Sequence, residues 1–569
     1  MVRLNLTNPA TQNILVQAGA GGLARIQALG SQSIMAGGNI SVLGGSGTGM
    51  TAAIQSTGSS QNIGNTYIYS NDATNNVIVQ GGSGSGSSAK IAAYSGQSID
   101  AGQNITVTGG ATGAFAEVTT AFGSQTIGNL NSSYNYDQTD LVSLTGGSAA
   151  GAYANMTTIG NQTVRSSRNV TLAGGNGAGS GALLQGGSGQ TLTAYGNLSV
   201  AAGTVSDAEL RQTSGAAQNL SVGGSISVTN AAGATAGIVS GGSQTISAAD
   251  ALVMVSSPVA GARAEISANG TQTINLQGGA GANDKASLTV LNHSASSGSL
   301  AQVKATGNQT ISMPFAKAGI MQVGDTASLG AALVASSADQ TLVVGELLVQ
   351  GGASAAATSK ILAGTATTGT MTISALTGPI QVLGGAAGSA AIDPLYLFMT
   401  TNGAILVQAG NAATATALIT AGNIDMAATN GNITVTGGTV AGATAGILAT
   451  GTLNAYASGN LAFIPNAGGA TMTAGAATGN NIFLGGNCIG CAGGLFGNFN
   501  ISTGLLPVVP LGLVPGSVLV LDSISLLDPT AGDIVALLDD LDILYGLLAM
   551  TEEGEITVDP LRRRLPKCY

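Results

Sequence analysis

Hydrophobic and polar residues alternate along most of this chain in short bursts. Asn39-Ile40-Ser41-Val42, Asn104-Ile105-Thr106-Val107, Asn169-Val170-Thr171-Leu172 and Asn197-Leu198-Ser199-Val200 are four of them. Alternation with period two predicts strands whose aliphatic side chains share one face. Each burst lies seven residues after a Gln that opens another: Gln32, Gln97, Gln162 and Gln190. Gln followed by Ser, Thr or Asn and then an aliphatic residue recurs at twelve starts spaced along the chain. The starts are Gln12, Gln32, Gln61, Gln97, Gln125, Gln162, Gln190, Gln218, Gln244, Gln272, Gln309 and Gln340. The commonest step is 28 and the longest are 36 and 37. A third run, such as Ala264-Glu265-Ile266-Ser267 before Gln272, completes the unit. Past residue 345 the Gln motif fades. Gly378, Gly403, Gly431, Gly459 and Gly479 then precede similar runs at steps of 25, 28, 28 and 20.

Three short strands and three Gly-rich corners consume one such unit, which is one turn of a triangular coil. Stacked turns pair their strands in parallel at about 4.8 Å and seal the aliphatics along the axis. The expected fold is all-β: a right-handed parallel β-helix of roughly 17 coils of about 28 residues, because parallel crossovers are right-handed. Inward or outward, the Gln positions recur at the same place in each turn. Gln162, Gln190, Gln218, Gln244 and Gln272 are therefore expected to form a structural ladder of stacked amides.

Composition changes this picture little. Of 569 residues 89 are Gly, 7% are charged and 3% are aromatic, with a mean hydropathy of +0.36. That is too apolar for a disordered chain and too uniform for several unrelated globular domains. The net charge is −10, and Arg562, Arg563 and Arg564 form the one basic run, so nucleic acid is not an expected partner. Residues 487–569 hold 10 acids and 4 bases, and Leu, Val and Pro replace Gly there. Residues 1–486 are read as the parallel β-helix and 487–569 as a C-terminal cap or tail. Within the latter, Asp533–Met550 reads as an amphipathic helix covering the open coil end. Met1–Asn13 has no apolar core of a signal peptide, and Leu505–Leu521 is interrupted by Pro507, Pro510 and Pro515.

The runs at 38–45, 102–110, 168–175 and 430–438 resemble the filamentous haemagglutinin-like exoproteins of two-partner secretion, over about residues 10–486. The resemblance implies a cell-surface or extracellular adhesin exported through an outer-membrane transporter. Its implied partners are a glycan or protein on a host or neighbouring cell, with self-association as a further property. The family's N-terminal secretion domain is not recognisable, so the chain is read as a C-terminal piece of a longer exoprotein.

Steps of 36–37 add about nine residues to a turn, which should leave a corner as loops. Two of these stretches hold Tyr67, Tyr69 and Asp72, and Tyr134, Tyr136 and Asp137. Tyrosine beside Asn and Asp can stack on a sugar or grip a protein, and can equally cap a core edge. Cys488 and Cys491 form a CxxC that reads as a local disulfide or as two free thiols, with Cys568 left over. No further zinc ligands lie near it, the Gly-Gly stretches lack the Asp of calcium repeats, and no metal or cofactor is expected. Acids are scattered, and the only His, His293, has no evident partners for a triad. The expected role is binding and display without catalysis. The competing roles are a structural filament or matrix subunit and a β-helix enzyme acting on polysaccharide, which needs paired acids.

Overall fold

The computed structural model describes residues 2–5, 12–64, 74–130, 138–474 (save 234, 280, 282, 283, 366 and 367), 482–489, 495–496 and 499–501. The chain winds as a right-handed parallel β-solenoid of about sixteen turns. Up to Ala449 each turn contributes one strand to each of three faces, and the strand Leu453–Ile464 then spans the first two. In one turn the three strands are Gln190–Ala194, Leu198–Ala202 and Ala208–Gln212. Every strand pairs in parallel with its equivalent one turn away: Gln190 stands opposite Gln218, Leu198 opposite Ile226 and Ala208 opposite Ala236. The first face carries the Gln strands, the second the Asn-led strands, and the third the runs that precede the next Gln.

Alternation decides which residues enter the axis. Ile105 and Val107, Ala116 and Val118, and Ile127 are fully buried in one turn, while Thr106 and Glu117 point outward. Each fully buried Ile or Val contributes about 1.5–3 kcal/mol. One continuous core runs from Ile14 to Ala474. At the corner between the second and third faces the turns touch backbone to backbone. A Cβ at Gly82 would lie 2.1 Å from the Gly45 carbonyl oxygen, and one at Gly110 2.2 Å from that of Gly82. Gly49, Gly86 and Gly113 close the same corner with φ of 69°, 67° and 64°, a conformation that other residues rarely adopt.

The glutamines sit inside. From Gln32 to Gln340, eleven of them face the axis and are at most 4% exposed. The Nε2 of each donates to the Oε1 of the preceding one at 2.5–2.9 Å. Gln162, Gln190 and Gln272 also donate to the carbonyls of Met156, Leu184 and Ile266. The two end atoms of this chain of amides, Gln32 Nε2 and Gln340 Oε1, have no partner.

Two register details differ from the sequence reading. Gln12 does not belong to the ladder: Ile14–Gln17 pairs with Ile40–Leu43 on the second face, and Val2 stands opposite Gln32. The runs after Gly378, Gly403 and Gly431 also lie on the second face, at Ile380–Leu383, Ile405–Gln408 and Ile433–Thr436. The inward first-face position is taken there by Met371, Leu397 and Ile424. The motif starts therefore fall on two different faces. Parallel pairing continues past residue 486 through Ile482–Ile489 and Phe499–Ile501. The helix read at Asp533–Met550 lies outside the described residues, among which the one helical element is the 3-10 turn Phe315–Lys317.

Candidate functional site

Charge is unevenly divided among the faces. Among the described residues, strands of the first two faces carry Arg3, Arg165, Asp425 and Glu346. Strands of the third face carry ten charged side chains, including Lys90, Glu117, Glu209, Arg211 and Glu265. Outward chemistry is concentrated on that face.

Its best-built part spans three turns, Ser88–Ala93, Phe115–Thr120 and Ala154–Thr158. Register puts Lys90 opposite Glu117, and Ala116 opposite Ala154. Lys90 Nζ lies 3.0 Å from Glu117 Oε2 and 4.7 Å from the centre of the Phe115 ring. The Tyr153 hydroxyl donates to Glu117 Oε1 at 2.8 Å, and its ring stacks on Phe115 at 4.8 Å and 11°. Burial, then the hydrogen bond to Glu117 and its negative charge, push the Tyr153 hydroxyl well above the usual tyrosine range. Every polar group of the cluster is thus engaged, and it forms a fixed platform.

At the edge of the same face Tyr94 and Phe122 stand together, with ring centres 5.1 Å apart and a 55° tilt. Beside them lies a groove of about 400 Å³ lined by Gln55, Thr57, Ala92, Tyr94 and Thr119. Farther along, Arg211 pairs with Glu209 at 2.6 Å. Burial raises the Glu209 carboxyl above its ordinary range, against the pull of Arg211. His293 Nε2 lies 3.0–3.1 Å from both oxygens of Asp325 on the next turn, with the Ser328 hydroxyl donating to Asp325 Oδ1. Among the described residues no three of His, Cys, Asp and Glu gather as a metal site.

All three long steps are absorbed at one corner, between the first and second faces. The connections run from Ile63 to Asn76, from Ile127 to Leu141 and from Leu276 to Leu288, against Ala194 to Leu198 in an ordinary turn. Register holds across them: Gln125 stands opposite Gln162. Two necks are closed by buried threonines. The Thr74 hydroxyl donates to the Ala36 carbonyl at 2.8 Å, and the Thr139 hydroxyl to that of Ala101 at 2.7 Å. Asn129 and Asp100 join the second neck at 3.3 Å. Tyr67, Tyr69, Asp72, Tyr134, Tyr136 and Asp137, read as binding residues, lie outside the described residues. So does Cys491; Cys488 stands opposite Leu461 in the strand Ile482–Ile489. The platform on the third face escaped the sequence reading, since its members are separated by about one coil each and form no local motif. Stacking the chain turn upon turn, insertions removed, is the signal that finds them.

No family model, no curated protein and no solved structure matches this chain.

Proposed function

We propose that the chain is the rigid shaft of an adhesin-like protein on the outer cell surface or outside the cell, which works by binding and display rather than catalysis. The observation that carries this reading is the single corner from which the long connections leave, with necks pinned by Thr74 and Thr139 and the ladder uninterrupted beneath. A shaft that takes up extra residues at one corner without disturbing its register is suited to presenting loops. The resemblance to filamentous haemagglutinin-like exoproteins supports the same role. It supplies the proposed partners: a glycan or protein on a host or neighbouring cell, and an outer-membrane transporter for export.

The test is to coat beads with the chain and count bound epithelial and bacterial cells. Replacing 65–73 and 131–137 by short Gly-Ser linkers is expected to lower binding about tenfold while leaving the circular dichroism and melting unchanged. Undiminished binding by the linker variant contradicts the reading.

A further inference from the structure

The groove beside Tyr94 has chemistry of its own, on a different part of the turn from the display corner. Register aligns Gln55, Ala92 and Thr119 as one outward row on three consecutive turns of the third face. Ala92 is the short member, so the row dips between an amide and a hydroxyl about 10 Å apart, two strand spacings. One wall of the dip is Tyr94, whose ring is backed by Phe122. These side chains are 46% and 54% exposed. Among the described residues, the hydroxyls of Tyr94 and Thr119 and the amide of Gln55 have no hydrogen-bond partner. They stand ready for a ligand, whereas the neighbouring platform is spent on itself.

Charge narrows the ligand. No residue lining the groove is charged. On the neighbouring outward row, which runs Arg25, Ala53, Lys90, Glu117, Lys90 and Glu117 neutralise each other at 3.0 Å, and Glu117 is further occupied by Tyr153. A uronate or sulfated sugar would find no cation lining the groove, and an amino sugar no carboxylate. A ring face for C–H groups, next to uncharged donors and acceptors, matches a neutral pyranose. A volume of about 400 Å³ lies at the lower end of ligand sites, room for one or two sugar rings, and the open groove lets a chain continue past them. We infer that the groove between Gln55 and Thr119, walled by Tyr94, binds neutral hexose units of a polysaccharide.

The experiment titrates the full chain with cellohexaose, maltohexaose, mannohexaose and polygalacturonate, read by saturation-transfer NMR and by tyrosine fluorescence, since the chain has no Trp. At least one neutral hexaose is expected to bind at millimolar concentration, and polygalacturonate is not. Tyr94→Ala is expected to weaken binding about tenfold, Ala92→Leu to abolish it by filling the dip, and Thr191→Ala on the first face to change nothing. Circular dichroism confirms that each variant folds; because Leu at position 92 points outward, it leaves the core intact. The inference is overturned if no neutral hexaose binds, if polygalacturonate binds as well as the best of them, or if folded Tyr94→Ala and Ala92→Leu bind like the parent. The linker variant that lacks 65–73 and 131–137 keeps this groove. Loss of cell binding with hexaose binding retained counts against the display reading only, and the reverse counts against the groove only.

Discussion

The solenoid has two stretches that share a backbone plan and differ in what fills one inward position. From Gln32 to Gln340 the first face points a glutamine at the axis in every turn. From Met371 onward the same position holds Met371, Leu397, Ile424 and Leu453, all buried. Parallel strand pairing, the second-face aliphatics and the Gly-Gly corner continue: a Cβ at Gly438 would meet the Gly410 oxygen at 2.2 Å, much as at Gly82. The coil therefore does not require the amides. Their function is to fix register, since an amide one turn out of place is a buried polar group without a partner. The three insertions at 64–75, 128–140 and 277–287 all interrupt turns of the laddered stretch. Register is most in need of enforcement where turn length varies, and that is where the ladder runs.

The comparison is broken most forcefully by exchanging the two fillings. Gln190→Leu strands the Gln162 Oε1 acceptor and removes the acceptor of Gln218 Nε2. A cost of about 2–4 kcal/mol is expected, read as a lowered denaturation midpoint and faster hydrogen exchange in Thr191–Thr193. The converse change, Leu397→Gln, buries an amide between Met371 and Ile424 and should cost a similar amount.

A subtler change tests the end of the ladder. Gln340 Oε1 is the unpaired acceptor, and Met371 stands opposite Gln340. Met371→Gln extends the ladder by one rung, with an expected stabilisation of about 1 kcal/mol or less. Adding Leu397→Gln to it should then cost about 1 kcal/mol less than Leu397→Gln alone, a coupling that a double-mutant cycle measures. Additive effects would mean that the amides do not act as a chain.

The smallest effect concerns the third face. Below about pH 10 both folded and unfolded chains keep a tyrosine proton. Above it the unfolded chain ionises while Tyr153, buried and bonded to Glu117, resists. Stability therefore falls with rising pH in the alkaline range. Tyr153→Phe should flatten part of that slope in thermal melts taken between neutral and strongly alkaline pH; an unchanged slope would show that Tyr153 is not held by Glu117.

Much of this architecture is legible in the sequence because a strand's period and a coil's step both leave marks in residue order. Asn104–Thr108 reads as a strand from its alternation alone, and the Gln step gives the turn. What is not legible depends on where the chain closes on itself. Gln12 fits the local motif, yet Ile14 pairs with Ile40, so the tripeptide cannot reveal which face it occupies. Lys90, Phe115, Glu117 and Tyr153 meet only because the turns stack. The tyrosines of 65–73 and 131–137 were found as residues, while the closure of their necks by Thr74 and Thr139 depends on carbonyls one turn earlier.

The central claim is that successive turns stay in register across an insertion, and cross-linking tests it most directly. Thr126 and Thr163 are 37 residues apart and stand opposite each other on the first face. Neighbouring strands lie about 4.8 Å apart, within disulfide reach, and strands two turns apart do not. With Cys488, Cys491 and Cys568 replaced by Ser, the pair Thr126→Cys and Thr163→Cys should form an intramolecular disulfide on mild oxidation, seen by peptide mapping. Thr126→Cys with Thr191→Cys should not. A failed link in the first pair, or an equal yield in the second, would contradict the stacked turns on which the rest depends.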